Sequence, residues 1–116
     1  MKRLQDFQGN EAIVVAAKVL GVIIEILKDE RNAALKGEKN GVVMFTTFMQ
    51  NTPEKMKEIF AILSEKEPAE YTCNGTEAIF NMMVLANDPI IMSLFTAQSQ
   101  TRDATSSGSA LENTEA

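Results

Sequence analysis

Apolar positions recur along this chain at spacings of three, four and seven, the period of an α-helix. The clearest case begins at Thr52-Pro53-Glu54, which reads as a helix start: a capping hydroxyl, a proline in the first turn and an acid at the positive helix end. Met56, Ile59, Phe60 and Leu63 then share one face, with Lys57, Glu58, Glu65 and Lys66 outside it. Pro68 closes the segment.

The first long segment is of another kind. Asn10 as cap and Glu11 in the first turn open a run in which Ile13, Ala16, Ala17, Leu20, Ile24 and Leu27 recur at helical spacing. Val14, Val15, Val19, Val22, Ile23 and Ile26 fill the other faces, so a polar stripe is almost absent before Glu25. The β-branched content would also suit a strand, and length and the cap favour a helix. Such a helix is either central to a bundle or turns one face to a partner.

Further along, 29–36 continues the helix or forms a short second one, and Gly37 is placed to end it in a left-handed conformation. Asn40-Gly41 marks a turn before a short helix over 42–50, with Val42, Phe45, Thr46 and Met49 on one side and Met44 and Phe48 on another. Asn74 and Glu77 have capping-box spacing and open a helix through Ile79, Phe80, Met83, Val84 and Ala86. Asp88-Pro89 repeats the cap-then-proline signal, and 90–97 forms a last helix with Ile91, Leu94 and Phe95 inward. Residues 99–116 hold Ser, Thr, Gly, Asn and Glu, with Leu111 as the one large apolar side chain. They cannot bury enough surface to offset the entropy of ordering. The expectation is an all-α protein, a compact bundle of four to six short helices over 1–98, followed by a disordered acidic tail over 99–116.

Composition narrows the function more than the fold. A length of 116 residues suits one domain, and 45% apolar with 23% charged residues is ordinary for a globular one. The net charge of −5 and the scattering of the 11 basic residues among acids leave no cationic patch. Nucleic acid and anionic membrane are therefore excluded as expected partners. The longest apolar stretch, 12–24, is broken by Lys18 and falls short of the ~20 residues a bilayer requires. A single cysteine, Cys73, cannot form an internal disulfide, and no apolar run follows Met1-Lys2-Arg3; both point to the reducing cytoplasm.

Catalytic and metal chemistry find little to work with. The chain has no histidine, which removes the commonest general base and metal ligand. The six glycines are dispersed and match no phosphate-binding loop. Glu25 and Asp29 stand four apart, and Glu25 among apolar neighbours is the one carboxylate whose pKa could be raised; the plainer reading makes it the exposed edge of its helix. Cys73 precedes a helix start, a position that lowers thiol pKa, but without a histidine it reads as an incidental thiol. No catalytic, cofactor-binding or metal-binding residue is assigned, and no enzyme activity is expected.

What remains is contact surface. Seven methionines is a high count, and methionine serves both irregular cores and adaptable binding faces. Val15, Val22, Met44, Phe48, Met82 and Met83 are left over once each helix is given an inward stripe. These six are the candidate protein-binding residues, on the reasoning that an exposed apolar patch marks a partner.

The opening Met1-Lys2-Arg3-Leu4-Gln5-Asp6-Phe7-Gln8-Gly9-Asn10-Glu11-Ala12, the phrase Ile24-Glu25-Ile26-Leu27-Lys28-Asp29-Glu30 and the close on Ser106-Ser107-Gly108-Ser109 and Glu112-Asn113-Thr114-Glu115-Ala116 resemble one group of proteins. These are the tail assembly chaperones of siphophages and prophages of Gram-positive bacteria, encoded between the major tail protein and the tape-measure protein. The resemblance implies a helical cytoplasmic protein that binds the tape-measure protein, keeps it soluble while the tail tube polymerises, and is absent from the finished particle. It also implies multiple copies or a homo-oligomer, and in some members an extension by ribosomal frameshifting. A small helical adaptor that binds one folded host protein is the alternative the residues leave open.

Overall fold

The computed structural model describes residues 1–35 and 37–103, and for 98–103 the backbone alone. Among the described residues there are five α-helices: α1 (Gly9–Lys28), α2 (Gly41–Asn51), α3 (Pro53–Leu63), α4 (Gly75–Ala86) and α5 (Pro89–Asp103). Short 3-10 turns lie at Leu4–Asp6 and Glu30–Leu35, and no strand is present among these residues. The all-α class and the helix number are as expected. Helix α5 runs to Asp103, past the expected boundary at 98. The part of the expected tail from 104 to 116 lies outside the described residues.

Local chemistry explains most of the boundaries. The Asn74 side chain accepts from the Glu77 amide at 2.8 Å while Glu77 accepts from the Asn74 amide at 2.9 Å, a closed capping box on α4. Buried Asp88 accepts from the Ile90 amide at 2.9 Å and caps α5. Asn40 caps α2 through the Val43 amide at 3.1 Å. Gly37, at φ 85°, ends the 30–37 segment in the left-handed region expected of it.

Two expected caps fall elsewhere. Helix α1 starts at Gly9, with Gln8 in the cap position and no side-chain cap bond, so Asn10 lies inside its first turn. Thr52 precedes α3 but is fully buried, and its hydroxyl donates back to the Phe48 carbonyl at 3.0 Å. It therefore closes α2 and leaves α3 to Pro53 and Glu54 for its start signals.

The core is one cluster. Val15, Val19, Val22, Ile23 and Ile26 from α1 meet Met44, Phe45 and Phe48 from α2 and Met56, Ile59, Phe60 and Leu63 from α3. Met82 and Leu85 from α4 and Ile91 and Phe95 from α5 close it. At its centre Phe45 stands edge-on to Phe48 and Phe95 at 5.7 and 5.2 Å between ring centroids, and Phe48 stacks on Phe95 at 5.2 Å. Helices α1 and α3 lie antiparallel: Glu25 near the end of α1 pairs with Lys55 at the start of α3 at 2.7 Å. The amino terminus is tied to the other end of α3, where the Lys2 amide donates to the Leu63 carbonyl at 2.8 Å.

A knot of polar side chains fastens the connection between α1 and α2 to the α2–α3 corner. Buried Asn32 donates through Nδ2 to the Ile26 carbonyl at 2.9 Å and accepts through Oδ1 from Asn51 Nδ2 at 3.3 Å. Asn51 also donates to the Arg31 carbonyl at 2.8 Å. On the outside of the same turn, Arg31 donates to both oxygens of Asp29, at 3.0 and 2.8 Å. That contact holds the Asp29 carboxyl down at about 2, below the usual carboxylate range. The charged form of Asp29 therefore favours the folded state above that range, and the contribution disappears as pH falls through about 2.

Two helix glycines differ in what surrounds them, and the difference sets opposite expectations. A Cβ on Gly41 would lie 3.0 Å from the Ala86 carbonyl oxygen and 3.0 Å from Met92 Sδ, where α2 abuts the α4–α5 corner. A Cβ on Gly21 in mid-α1 would meet nothing within 4 Å. Gly41→Ala is thus expected to destabilise by about 1–3 kcal/mol, because a backbone oxygen must move. Gly21→Ala should stabilise by about 1 kcal/mol through helix propensity alone. Urea unfolding of both variants reads the two signs, and a shift in the same direction for both would contradict this packing.

Candidate functional site

The six candidate binding residues do not form a surface. Val15, Val22, Met44, Phe48 and Met82 are buried, and Met83 alone is exposed. The premise that they lie outside the inward stripes fails for five of the six. The physical reason is the same each time: a helix apolar on every side offers several equivalent stripes, and neighbours choose among them. In α1 the inward set is Val15, Val19, Val22, Ile23 and Ile26; in α2 it is Met44, Phe45 and Phe48; in α4 it is Met82 and Leu85.

Of the side chains thereby turned outward, Met83 alone is among the six candidates. On α4, Ile79 is 58% exposed, Phe80 68% and Met83 40%. Spacings of three and four put them on one face, so they form an apolar stripe on the side opposite Leu85, with buried Met82 at its flank. Phe80 also borders a shallow depression shared with Met1, Lys2, Leu63 and Tyr71. Val42 and Val43 are exposed at the start of α2, and Ile90 at the start of α5. Gly41 abuts Ala86, so these ends meet near the carboxyl end of α4. The signal that could have found the stripe is the excess of large apolar side chains in α4, more than one face can bury.

A second surface runs between α1 and the end of α3. Helix α1 is not enclosed on all sides: Val14, Ala17 and Gly21 are exposed along it. With Val15 and Val22 below and Ile62 and Pro68 opposite, they make an apolar floor. Glutamates stand around it, at 11 and 25 on α1, 58 on α3, and 65, 67 and 70 beyond α3.

The residues weighed for chemistry are accounted for simply. Glu25 is exposed and paired with Lys55, which also lies 3.5 Å from Glu58; these carboxylates raise the Lys55 pKa, the Glu25 hydrogen bond being the main cause. Cys73 is exposed, at the edge of a small depression with Met49, Met56, Phe60 and Tyr71. Burial, and then the neighbouring Cys73, push the Tyr71 phenol up, while its hydroxyl accepts from Asn81 Nδ2 at 2.9 Å. Among the described residues no three Asp, Glu, Cys or His side chains are grouped to hold a metal ion.

No single helix among the described residues is long and apolar enough to cross a membrane. Helices α4 and α5 as far as Ala97 reach that length and apolarity only together, across a 74° bend. Much of their apolar surface is spent in the core, where Met82, Leu85, Ile91 and Phe95 are buried. Comparison with protein-family models, with curated proteins and with solved structures found no match to this chain.

Proposed function

We propose that this chain is a protein-binding helical module that acts as a tail assembly chaperone, holding the tape-measure protein soluble in the host cytoplasm. The observation that carries the reading is the α4 stripe of Ile79, Phe80 and Met83, large apolar side chains facing solvent on a protein whose core is already filled. A client that is long, helical and prone to aggregate presents matching apolar stripes. Methionine and phenylalanine suit such contacts, the first by flexibility and the second by area. The net charge of −5 keeps the loaded complex in solution. Several copies along one client, rather than one copy on a folded surface, follow from a stripe only about one turn and a half long.

The test is co-expression with the tape-measure protein encoded in the same phage or prophage, scoring client solubility and the number of copies that co-purify. The wild-type chain is expected to bring the client into the soluble fraction in many copies. The triple variant Ile79→Ser, Phe80→Ser, Met83→Ser should leave the client insoluble while keeping its own helical circular dichroism, since exposed side chains contribute little to stability. A client that stays insoluble with the wild-type chain would remove the chaperone reading. A triple variant that rescues as well as wild type would remove the stripe.

A further inference from the structure

We propose that the groove between α1 and the end of α3 is a docking site for a basic amphipathic helix, independent of the client stripe on α4. Its floor follows α1 from Asn10 through Val14, Ala17 and Gly21 to Glu25, successive positions of one helical face. Fifteen residue steps at about 1.5 Å make that face roughly 22 Å long, about four turns of an incoming helix. Ala17 and Gly21 lower the middle of the floor, and a Cβ on Gly21 meets nothing within 4 Å, so a partner backbone can come close there.

Charge selects the occupant. Six glutamates stand around the floor, against Lys18 and Lys66. Lys55 pairs with Glu25 and Glu58, and Lys2 with Glu65 at 3.0 Å, so six carboxylates face four ammonium groups in all. Glu67 and Glu70 have no ion-pair partner among the described residues, and they sit in the exposed turn that follows α3. An apolar floor under an acidic rim fits a helix with an apolar face flanked by lysine and arginine. A second copy of the chain, at net charge −5, lacks the excess of lysine and arginine that this rim would attract. Residues 104–116 carry Glu112 and Glu115 and no lysine or arginine, a composition that does not match this rim.

The experiment uses the full chain and two synthetic helical peptides of about 18 residues, long enough to span the groove. Both have a leucine face; one carries lysine at its remaining positions and the other glutamate. Fluorescence anisotropy is expected to show the lysine peptide binding at least about tenfold more tightly than the glutamate peptide, with affinity falling as salt shortens the screening length toward about 3 Å. The double variant Glu67→Lys, Glu70→Lys should weaken the lysine peptide about tenfold, and Gly21→Leu should weaken it similarly by lifting the floor. Neither change is expected to lower helicity, because the two glutamates lie outside the helices and leucine is a better helix former than glycine. The triple serine variant on α4 should bind the peptide normally, which keeps this result separate from the fate of the client reading. Equal binding of the two peptides, no binding of either, or an affinity untouched by both groove variants would overturn the proposal.

Discussion

Phe48→Ala is expected to cost about 3–5 kcal/mol, a large share of the 5–15 kcal/mol that holds a domain of this size together. Phe48 is fully buried and stacks on Phe95 at 5.2 Å while meeting the edge of Phe45 at 5.7 Å. It joins α2 to α5, elements far apart in sequence, beside the edge-on contact of Phe45 with Phe95 at 5.2 Å. Truncation removes the transfer free energy of the ring and leaves a cavity that two other rigid rings cannot collapse to fill. Urea unfolding followed by circular dichroism should show a midpoint lowered by at least about a fifth of the wild-type value, while Phe48→Leu, which retains most of the volume, should lose much less. A loss below about 1 kcal/mol for the alanine variant would mean that the aromatic cluster is not the centre of the core. The result also bears on function. Phe48 was a candidate binding residue, and a variant that loses the client together with its fold would say nothing about contact.

The second large effect is polar. Asn32, 4% exposed, is held by the Ile26 carbonyl at 2.9 Å and the Asn51 amide at 3.3 Å, with a longer approach to Thr52 Oγ1 at 3.5 Å. Asn32→Ala removes one of the two donors to the Ile26 carbonyl and leaves it the Asp29 amide at 3.3 Å, and the loss of one such hydrogen bond costs about 0.5–1.5 kcal/mol. The loss of the Asn51 contact adds a similar amount, so the expected total is about 1–3 kcal/mol. Every buried side-chain nitrogen and oxygen among the described residues has a partner, those of Asn32 included. Asn32→Asp tests the donor separately. It keeps the shape but puts a carboxylate oxygen against the carbonyl, so its destabilisation should be largest at neutral pH. Burial raises the folded-state pKa of such a carboxyl, so stability relative to wild type should recover as pH falls and the group takes up a proton. A variant series with no pH dependence, or an alanine variant as stable as wild type, would show that the knot is not closed in solution.

How much of this protein could be read from its residues depends on the helix. In α3, Lys57 and Glu58 mark the outside, and the expected inward residues Met56, Ile59, Phe60 and Leu63 are all buried. In α5, Ile91 and Phe95 lie inward as expected, because Asp88-Pro89 sets the register. In α1, α2 and α4 the expected stripe was rotated from the observed one. Val42, grouped with Phe45 on one side of α2, is exposed, whereas Val15, Met44, Phe48 and Met82, the residues left over from the inward stripes, are buried. Helices α2 and α4 have too few charged residues to say which way is out, whereas in α1 the exposed Glu11, Lys18 and Glu25, seven apart, mark the outward face.

By itself, then, the sequence determined the all-α class, the order of the helices, the capping box at Asn74 and Glu77, and the lack of histidine chemistry, because local hydrogen bonding and composition carry those properties. Tertiary packing decided which apolar side chains of α1, α2 and α4 became core and which became surface, since a helix apolar all round gains the same hydrophobic free energy on several faces until its neighbours are in place. Both candidate surfaces, the α4 stripe and the acidic-rimmed groove on α1, are products of that choice. The groove needs Glu67 and Glu70 brought beside Glu11 across more than fifty residues of chain, and only the antiparallel pairing of α1 with α3 puts them there.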